Sequence, residues 1–209
     1  HLANEISPQV VERMQAVTEA NYDIAHRYYR LKARLLGLDK LATYDQYAPV
    51  ATNLPSCTYE NGRDMVLAAF GRFDPALQGI ASKFFEHNWI DAEVRPGKRG
   101  GAFSASIVPT IHPYVMLNWT DKLRDVNTMA HELGHGIHQY MSREQTYLNF
   151  HHPLPVAETA SVFGEFLTFD HLMATEQDPE VRLGLLCSKV EDAFATVFRQ
   201  NVLTRFEQT

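Results

Sequence analysis

The chain has 209 residues, enough for one well-packed domain or for a domain with an extension. Its residues are 45% apolar and 21% charged, as in an ordinary globular protein, and 19 basic against 25 acidic residues give a net charge of −6. This acidic balance argues against binding to nucleic acid or to an anionic membrane, and no apolar run approaches the roughly 18 residues of a membrane span.

The first part of the chain is predicted to be helical. Ser7-Pro8 is a cap followed by a first helical residue, and an amphipathic pattern then runs over residues 10–35, with Gly37 as a suitable stop. Two shorter helices are predicted further along, over about 62–73 and 75–85. Residues 1–91 are therefore expected to form a helical part of the fold.

The pattern changes at Ala92, where β structure is predicted. A turn-forming run of Pro, Gly and basic residues spans 95–101, and strand-like segments follow at 102–108 and 114–119. We therefore predict a small β-sheet or hairpin near residues 92–119.

Residues 120–209 are predicted to be helical again. Apolar periodicity and helix caps indicate helices over about 121–141 and 155–173, and a last helix from Pro179 to the chain end. The fold class is therefore predicted to be mainly α with a small β element, and the whole chain, 1–209, is expected to form a single region.

The cysteines and the chain ends add two expectations. Cys57 and Cys187 are too far apart in sequence to resemble a disulfide framework or a zinc–thiolate site, so we predict two reduced thiols in a cytoplasmic protein. The chain begins at His1, and its last helical pattern reaches Thr209 without a stop signal. This indicates a segment of a longer protein, whose oligomeric state the sequence leaves open.

The helix predicted over 121–141 contains an H-E-x-x-H pattern, in which His131 and His135 flank Glu132. Positions i and i+4 lie about 40° apart around a helix, so both imidazoles project from one face and can share one ion. Zinc accepts neutral imidazole nitrogens at about 2.0–2.1 Å. Glu132 points elsewhere and is expected to act as a general base toward the reacting water.

The third ligand is predicted on the next helix. A catalytic zinc needs three protein ligands, and Glu158 and Glu165 lie seven residues apart, on one face of an apolar run. Carboxylates there are costly unless a positive group faces them, and burial is predicted by the apolar neighbours Val156, Val162, Phe163 and Phe166. We therefore assign Glu158 as the third ligand and Glu165 as a hydrogen-bond acceptor for a ligand imidazole.

Other residues around the pattern have weaker assignments. His138 follows three residues after His135, and a hydrogen-bonding or packing role beside the site is favoured over a ligand role. Gly134 and Gly136 each cost about 1 kcal/mol relative to Ala within a helix, which predicts close packing of another element or of substrate.

The β region is a candidate peptide-binding surface. An extended peptide can pair with an exposed strand edge through main-chain hydrogen bonds, and Gly100 and Gly101 would permit close backbone approach. Arg95, Lys98 and Arg99 could receive a peptide carboxylate, although a solvated turn is favoured.

These motifs resemble the thimet-oligopeptidase-like family of zinc metallopeptidases, specifically its oligoendopeptidase F branch. The resemblance includes the H-E-x-x-H pattern with His138, the segment from Ala157 to Glu165, and the segments 97–103 and 112–118. It implies a helical zincin-type catalytic region with an internal channel, one Zn²⁺ per chain, and short unstructured oligopeptides as substrates. The same segments contain the candidate substrate-binding residues Gly100, Gly101, Ala102, Phe103, His112 and Tyr114.

Members of this family are substantially longer than the present chain. Their later region contributes His and Tyr residues that bind substrate and stabilise the transition state, and this segment lacks that region. The resemblance thus implies a zinc metalloendopeptidase segment that is weakly active or inactive alone. Two alternatives stay open: a zinc carboxypeptidase, although no anchor for a free carboxylate is evident, and a non-catalytic zinc-stabilised helical module.

Overall fold

The computed structural model describes residues 4–52 and 54–209. Within these ranges the helices are Pro8–Ala20 (α1), Tyr22–Leu35 (α2), Tyr59–Phe73 (α3), Pro75–Glu86 (α4), Leu123–Ser142 (α5), Leu154–Thr175 (α6), Pro179–Phe194 (α7) and Gln200–Glu207 (α8). The strands are Ile90–Asp91 (β1), Phe103–Ala105 (β2) and Tyr114–Met116 (β3). The predicted class, mainly α with a small sheet, is confirmed. No helix among these residues is both long and apolar enough to cross a membrane.

The chain divides into two compact units. The first comprises His1–Leu54 and Gln177–Thr209, and the second comprises Pro55–Glu176. Helices α1, α2, α7 and α8 belong to the first unit, whereas α3 to α6 and the sheet belong to the second. The expected single catalytic region, with parts at 1–91, 92–119 and 120–209, stays a prediction.

A buried polar cluster joins α2 to α7 within the first unit. The Lys32 ammonium is fully buried and donates to a Glu191 carboxylate oxygen at 2.6 Å and to the Gln46 carbonyl at 2.7 Å. Tyr28 donates to the same Glu191 oxygen at 2.5 Å, and its burial, together with that carboxylate, raises the pKa of Tyr28. A charged amine is tolerated at this depth because it is both paired and hydrogen-bonded.

The long amphipathic helix predicted over residues 10–35 is two helices, so that prediction is wrong in one respect. Helices α1 and α2 are separated at Asn21, whose φ of −118° and ψ of 17° depart from helical values. The Asn21 amide nitrogen donates to the Val17 carbonyl at 2.8 Å, a side-chain bond of the kind that competes with the helical ladder. Gly37, at φ +69°, follows the end of α2 as predicted.

The small sheet has the strand order β1-β3-β2. β3 pairs in parallel with β1 and antiparallel with β2, placing Ser104 opposite Val115. The sheet begins at Ile90, so the predicted start at residue 92 is corrected by two residues. β2 is an edge strand that lies beside α5, where the Ser104 hydroxyl donates to the Gln139 side-chain oxygen at 2.8 Å.

Helices α5 and α6 cross with their backbones nearly in contact. A Cβ atom at Gly134 would lie 2.5 Å from the Ala160 carbonyl oxygen, and one at Gly164 would lie 2.7 Å from the Ala130 carbonyl oxygen. These reciprocal contacts describe an antiparallel crossing that has no room for a side chain at either glycine. Gly136 lies against an aromatic ring of α4. The close packing predicted for both α5 glycines is therefore confirmed.

The large apolar side chains of α6 are more exposed than the sequence predicts. Val156, Phe163 and Phe166 are 47%, 43% and 49% exposed, so the expected burial of these side chains is wrong. The reason is the close crossing, because α6 packs on α5 through its small residues and its large apolar side chains lie on other faces. The buried residues of α6 are Ser161, Gly164, Thr168 and Leu172.

Replacing Gly134 with Ala tests the crossing. The added methyl group meets backbone on the neighbouring helix, so Gly134→Ala is expected to lower the free energy of unfolding by about 1–3 kcal/mol, the usual effect of overpacking. Gly79→Ala in α4 is the matched control, because a Cβ there meets nothing within 4 Å. That control is expected to stabilise the protein by about 0.4–1 kcal/mol. Urea unfolding curves that show equal effects would contradict the close crossing.

Candidate metal centre

Helices α5 and α6 direct three potential ligand atoms toward one point. The Nε2 atoms of His131 and His135, one turn apart on α5, are separated by 3.2 Å. Oε2 of Glu158, on α6, lies 3.5 Å from the first nitrogen and 3.6 Å from the second. The structure therefore brings together the three residues assigned as ligands from the sequence.

The spacing of these atoms fits a zinc ion. Ligands at 2.0–2.1 Å from a tetrahedral zinc lie about 3.3–3.4 Å from one another. The three separations in this cluster, 3.2, 3.5 and 3.6 Å, are close to that value. Two imidazoles and one carboxylate are a ligand set that zinc accepts at catalytic sites, where the fourth position stays open. The residues therefore fit the metal in both chemistry and geometry.

The other edge of each imidazole ring is also held in place. His131 Nδ1 lies 2.7 Å from Oε1 of Glu165, and the backbone of Ala157, acting as an acceptor, favours the protonated form of the His135 ring. When these acceptors take the Nδ1 protons, the lone pair of each Nε2 faces the common centre. Glu165 thus lies against a ligand imidazole, where the sequence analysis expected it.

The electrostatic environment differs among the titratable groups. Burial raises the pKa of Glu132 to about 7, against the opposing effects of His131 and of a hydrogen bond from the Ser104 amide. Burial acts to lower the pKa of His131, but the hydrogen bond to Glu165 and the nearby carboxylates outweigh it, so the pKa is raised. Burial lowers the pKa of His135. A carboxylate with a pKa near 7 is suited to accept and return a proton at neutral pH.

The centre contains a further polar residue, Ser161, which the sequence analysis did not identify. Ser161 is fully buried, and its hydroxyl donates to Oε2 of Glu158 at 2.7 Å. The signal was present in the sequence, because residues three apart share a helix face and Ser161 follows Glu158 by three.

His138 lies beside the centre rather than in the ligand cluster. Its ring stacks on His152 with the ring centres 3.9 Å apart, and burial lowers the pKa of both histidines. The buried Nδ1 of His138 has no hydrogen-bond partner among the described residues. His138 also lines an apolar cavity of about 410 Å³ between α5 and α6, together with Ile137, Met141 and Phe163. Its supporting role stays a prediction.

The predicted substrate-binding residues lie on the sheet and in the segments that precede β2 and β3. Phe103 on β2 and Tyr114 on β3 are both exposed. His112 stacks on Trp89 with the ring centres 4.1 Å apart. Gly101 has a left-handed φ of +85°, which favours glycine, while Gly100 and Ala102 flank it in the same turn. Their contact with substrate stays a prediction.

The basic turn before β2 is ion-paired. Asp91 accepts two hydrogen bonds from Arg95 at 2.7 Å and a third from Lys98 at 3.0 Å. These contacts, first with Arg95 and then with Lys98, hold the pKa of Asp91 well below its usual range. Both cations therefore already have a carboxylate partner within the turn, which disfavours the suggestion that they receive a peptide carboxylate.

Residues 73–209 match the family model described as peptidase family M3. The chain belongs to peptidase family M3. An oligoendopeptidase F homolog of Lactococcus lactis subsp. lactis is 34% identical over 212 residues, which are 99% of this chain and 35% of the relative. Oligopeptidase PepF of Bacillus subtilis is 31% identical over 206 residues, which are 98% of this chain and 31% of the relative. The resemblance to oligoendopeptidase F is thereby confirmed, and the chain spans about a third of the length of these curated relatives.

Solved structures agree with this assignment. A protein of Chlamydophila abortus, described as a peptidase, superposes with a TM-score of 0.85 at 29% identity, covering 98% of this chain and 34% of its own. Oligoendopeptidase-F from Enterococcus faecium superposes with a TM-score of 0.65 at 24% identity, covering 99% of this chain and 29% of its own. The second likeness supports the fold alone.

Zinc titration of single variants tests the ligand assignment in this M3 chain. Glu165→Ala is expected to weaken zinc binding by about 10–100-fold, and His131→Ala or Glu158→Ala by more, since each removes one of three ligands. His171→Ala, which removes an α6 imidazole outside the ligand cluster, is the control and is expected to leave affinity unchanged. Competition with a chromophoric chelator measures the affinities. Wild-type affinity in any of the three site variants would contradict the role given to that residue.

Proposed function

We propose that this chain carries the catalytic zinc centre of a metalloendopeptidase that hydrolyses short oligopeptides. The observation that carries the proposal is the convergence of His131, His135 and Glu158 beside the buried Glu132. Membership of peptidase family M3 and the likeness to proteins named oligoendopeptidase F support the same reaction.

Each side chain of the centre has a separate role in the proposed reaction. His131, His135 and Glu158 would hold one zinc ion, whose Lewis acidity activates a water molecule and polarises a peptide carbonyl. The Glu132 carboxylate accepts the proton of the attacking water and later delivers it to the leaving amine. Glu165 keeps the His131 ring oriented throughout these steps.

We place the substrate along the edge strand β2. Val115 donates its amide proton to Trp89 on the β1 side of the sheet, so Ser104, opposite it, has its backbone groups on the free edge. The Ser104 carbonyl accepts a hydrogen bond from Gln139 at 3.4 Å. A peptide that adds to this edge replaces that contact, and the interaction of the Ser104 amide with Glu132, by main-chain hydrogen bonds, which carry no preference for side chains.

The proposal includes a cytoplasmic location. Cys57 and Cys187 are both free and buried, in keeping with the reduced thiols predicted from the sequence.

Hydrolysis of a quenched fluorescent peptide of about ten residues tests the function. We expect slow cleavage by the zinc-loaded chain, abolished by a chelator and restored by added zinc. Glu132→Gln preserves the shape of the side chain but removes the base, so the rate is expected to fall about 10²–10⁴-fold. One zinc per chain should remain in that variant. Cleavage that is insensitive to both the chelator and Glu132→Gln would contradict the proposal.

A C-terminally amidated copy of the same peptide discriminates the alternatives. An endopeptidase cleaves the amidated and free peptides at similar rates, because it needs no terminal carboxylate, and this is the expected result. Loss of cleavage only with the amidated peptide would indicate a carboxypeptidase. One zinc per chain with no cleavage of either peptide would mean that the centre binds its metal but that this segment lacks the rest of the catalytic machinery.

A further inference from the structure

Ser161 has a polar hydroxyl group at a position where close helix packing requires only that the side chain be small. It lies at the α5–α6 crossing, where its Cα would be 2.7 Å from a Cβ at Gly134. The side chain is fully buried. Alanine would fill this position without a polar atom, whereas a buried hydroxyl is costly unless it is hydrogen-bonded.

Both acceptors within reach of this hydroxyl belong to Glu158. The Ser161 oxygen lies 2.7 Å from Oε2 of Glu158 and 3.0 Å from its backbone carbonyl oxygen. A hydroxyl has one proton to donate, and a charged carboxylate is the stronger acceptor. Oε2 is also the atom that lies 3.5 Å and 3.6 Å from the two imidazole nitrogens. The hydroxyl therefore contacts the same oxygen that faces the candidate metal position.

A second buried hydroxyl on α6 provides the comparison. Thr168 follows Ser161 by seven residues, so it shares the same helix face, and it is equally buried. Its hydroxyl has no hydrogen-bond partner among the residues that the structure describes. A buried hydroxyl on this face of α6 therefore does not always have a carboxylate partner. Ser161 has one because it lies one turn after Glu158.

We propose that Ser161 is a positioning residue for the zinc centre, because its hydroxyl holds Oε2 of Glu158 toward His131 and His135. The inference rests on the proposed function, since it requires Glu158 to be a metal ligand. The Glu158 side chain is about half exposed, so packing leaves it free to rotate. A hydrogen bond from a rigid, buried group restricts that rotation before the metal binds.

Ser161→Ala tests the positioning role, with Thr168→Val as the matched control. The first variant keeps the close crossing but loses the hydroxyl, and zinc affinity is expected to fall about 10–100-fold, as for other groups that orient a ligand. The control loses an equally buried hydroxyl and is expected to bind zinc as the wild type does. Chelator competition gives the affinities, and urea unfolding of the metal-free proteins reports any change in packing.

Cobalt substitution supplies a readout that packing alone would not change. The visible absorption bands of bound Co²⁺ depend on the arrangement of its ligands, so Ser161→Ala is expected to shift them and Thr168→Val to leave them unchanged. Wild-type zinc affinity and an unshifted cobalt spectrum in Ser161→Ala would overturn the positioning role. Equal losses of affinity in both variants would also overturn it, because they would indicate a packing effect.

The Glu158→Ala variant separates this inference from the proposed function. Zinc binding that is weakened by Glu158→Ala but unchanged by Ser161→Ala overturns the positioning role alone. Zinc binding that Glu158→Ala leaves unchanged overturns both the zinc centre and the role of Ser161.

Discussion

The close crossing of α5 and α6 is the constraint on which the candidate site depends. Gly134 and Gly164 each leave the space that the opposite backbone occupies. Because the two helix axes approach so closely, the carboxylate of Glu158 lies near the Nε2 atoms of both histidines. For the same reason, the carboxylate of Glu165 lies against Nδ1 of His131. A larger residue at either glycine would separate the helices and draw the carboxylates away from the rings.

The same crossing accounts for the polar character of this part of the interior. Small residues fill the interface between the helices, so the serine hydroxyl at position 161 lies next to a carboxylate rather than next to a large apolar side chain. Two of the donor groups have hydrogen bonds on their outer sides, from His131 to Glu165 and from Ser161 to Glu158. Pre-oriented donors lose less freedom when an ion binds, which favours tight binding.

The edge strand β2 links the sheet to the centre. Ser104 contacts Gln139 through its side chain and its carbonyl, and its backbone is close enough to Glu132 to act against the rise in the pKa of that carboxyl. The sheet therefore lies beside the proposed base, with the edge at which we propose that substrate binds facing the same region. This arrangement couples the place where substrate would lie to the group that would accept the proton.

Much of the fold was predictable because caps, periodicity and turn residues act locally. The Pro residues at the starts of α4 and α7, and Gly37 after α2, fixed helix ends within a residue or two. The break at Asn21 was missed because the apolar period continues across it, and only a side-chain hydrogen bond reveals it. The burial of α6 was overestimated because apolar content does not reveal which face of a helix packs.

By itself, the sequence determined the local part of the centre. The i, i+4 spacing placed His131 and His135 on one face, and the seven-residue spacing did the same for Glu158 and Glu165. Only the tertiary structure decided how closely the two faces meet, and which outer group holds each donor, as Ser161 does for Glu158. The reason is physical: helical spacing follows from backbone geometry over a few residues, whereas the approach of two helices depends on packing between distant parts of the chain.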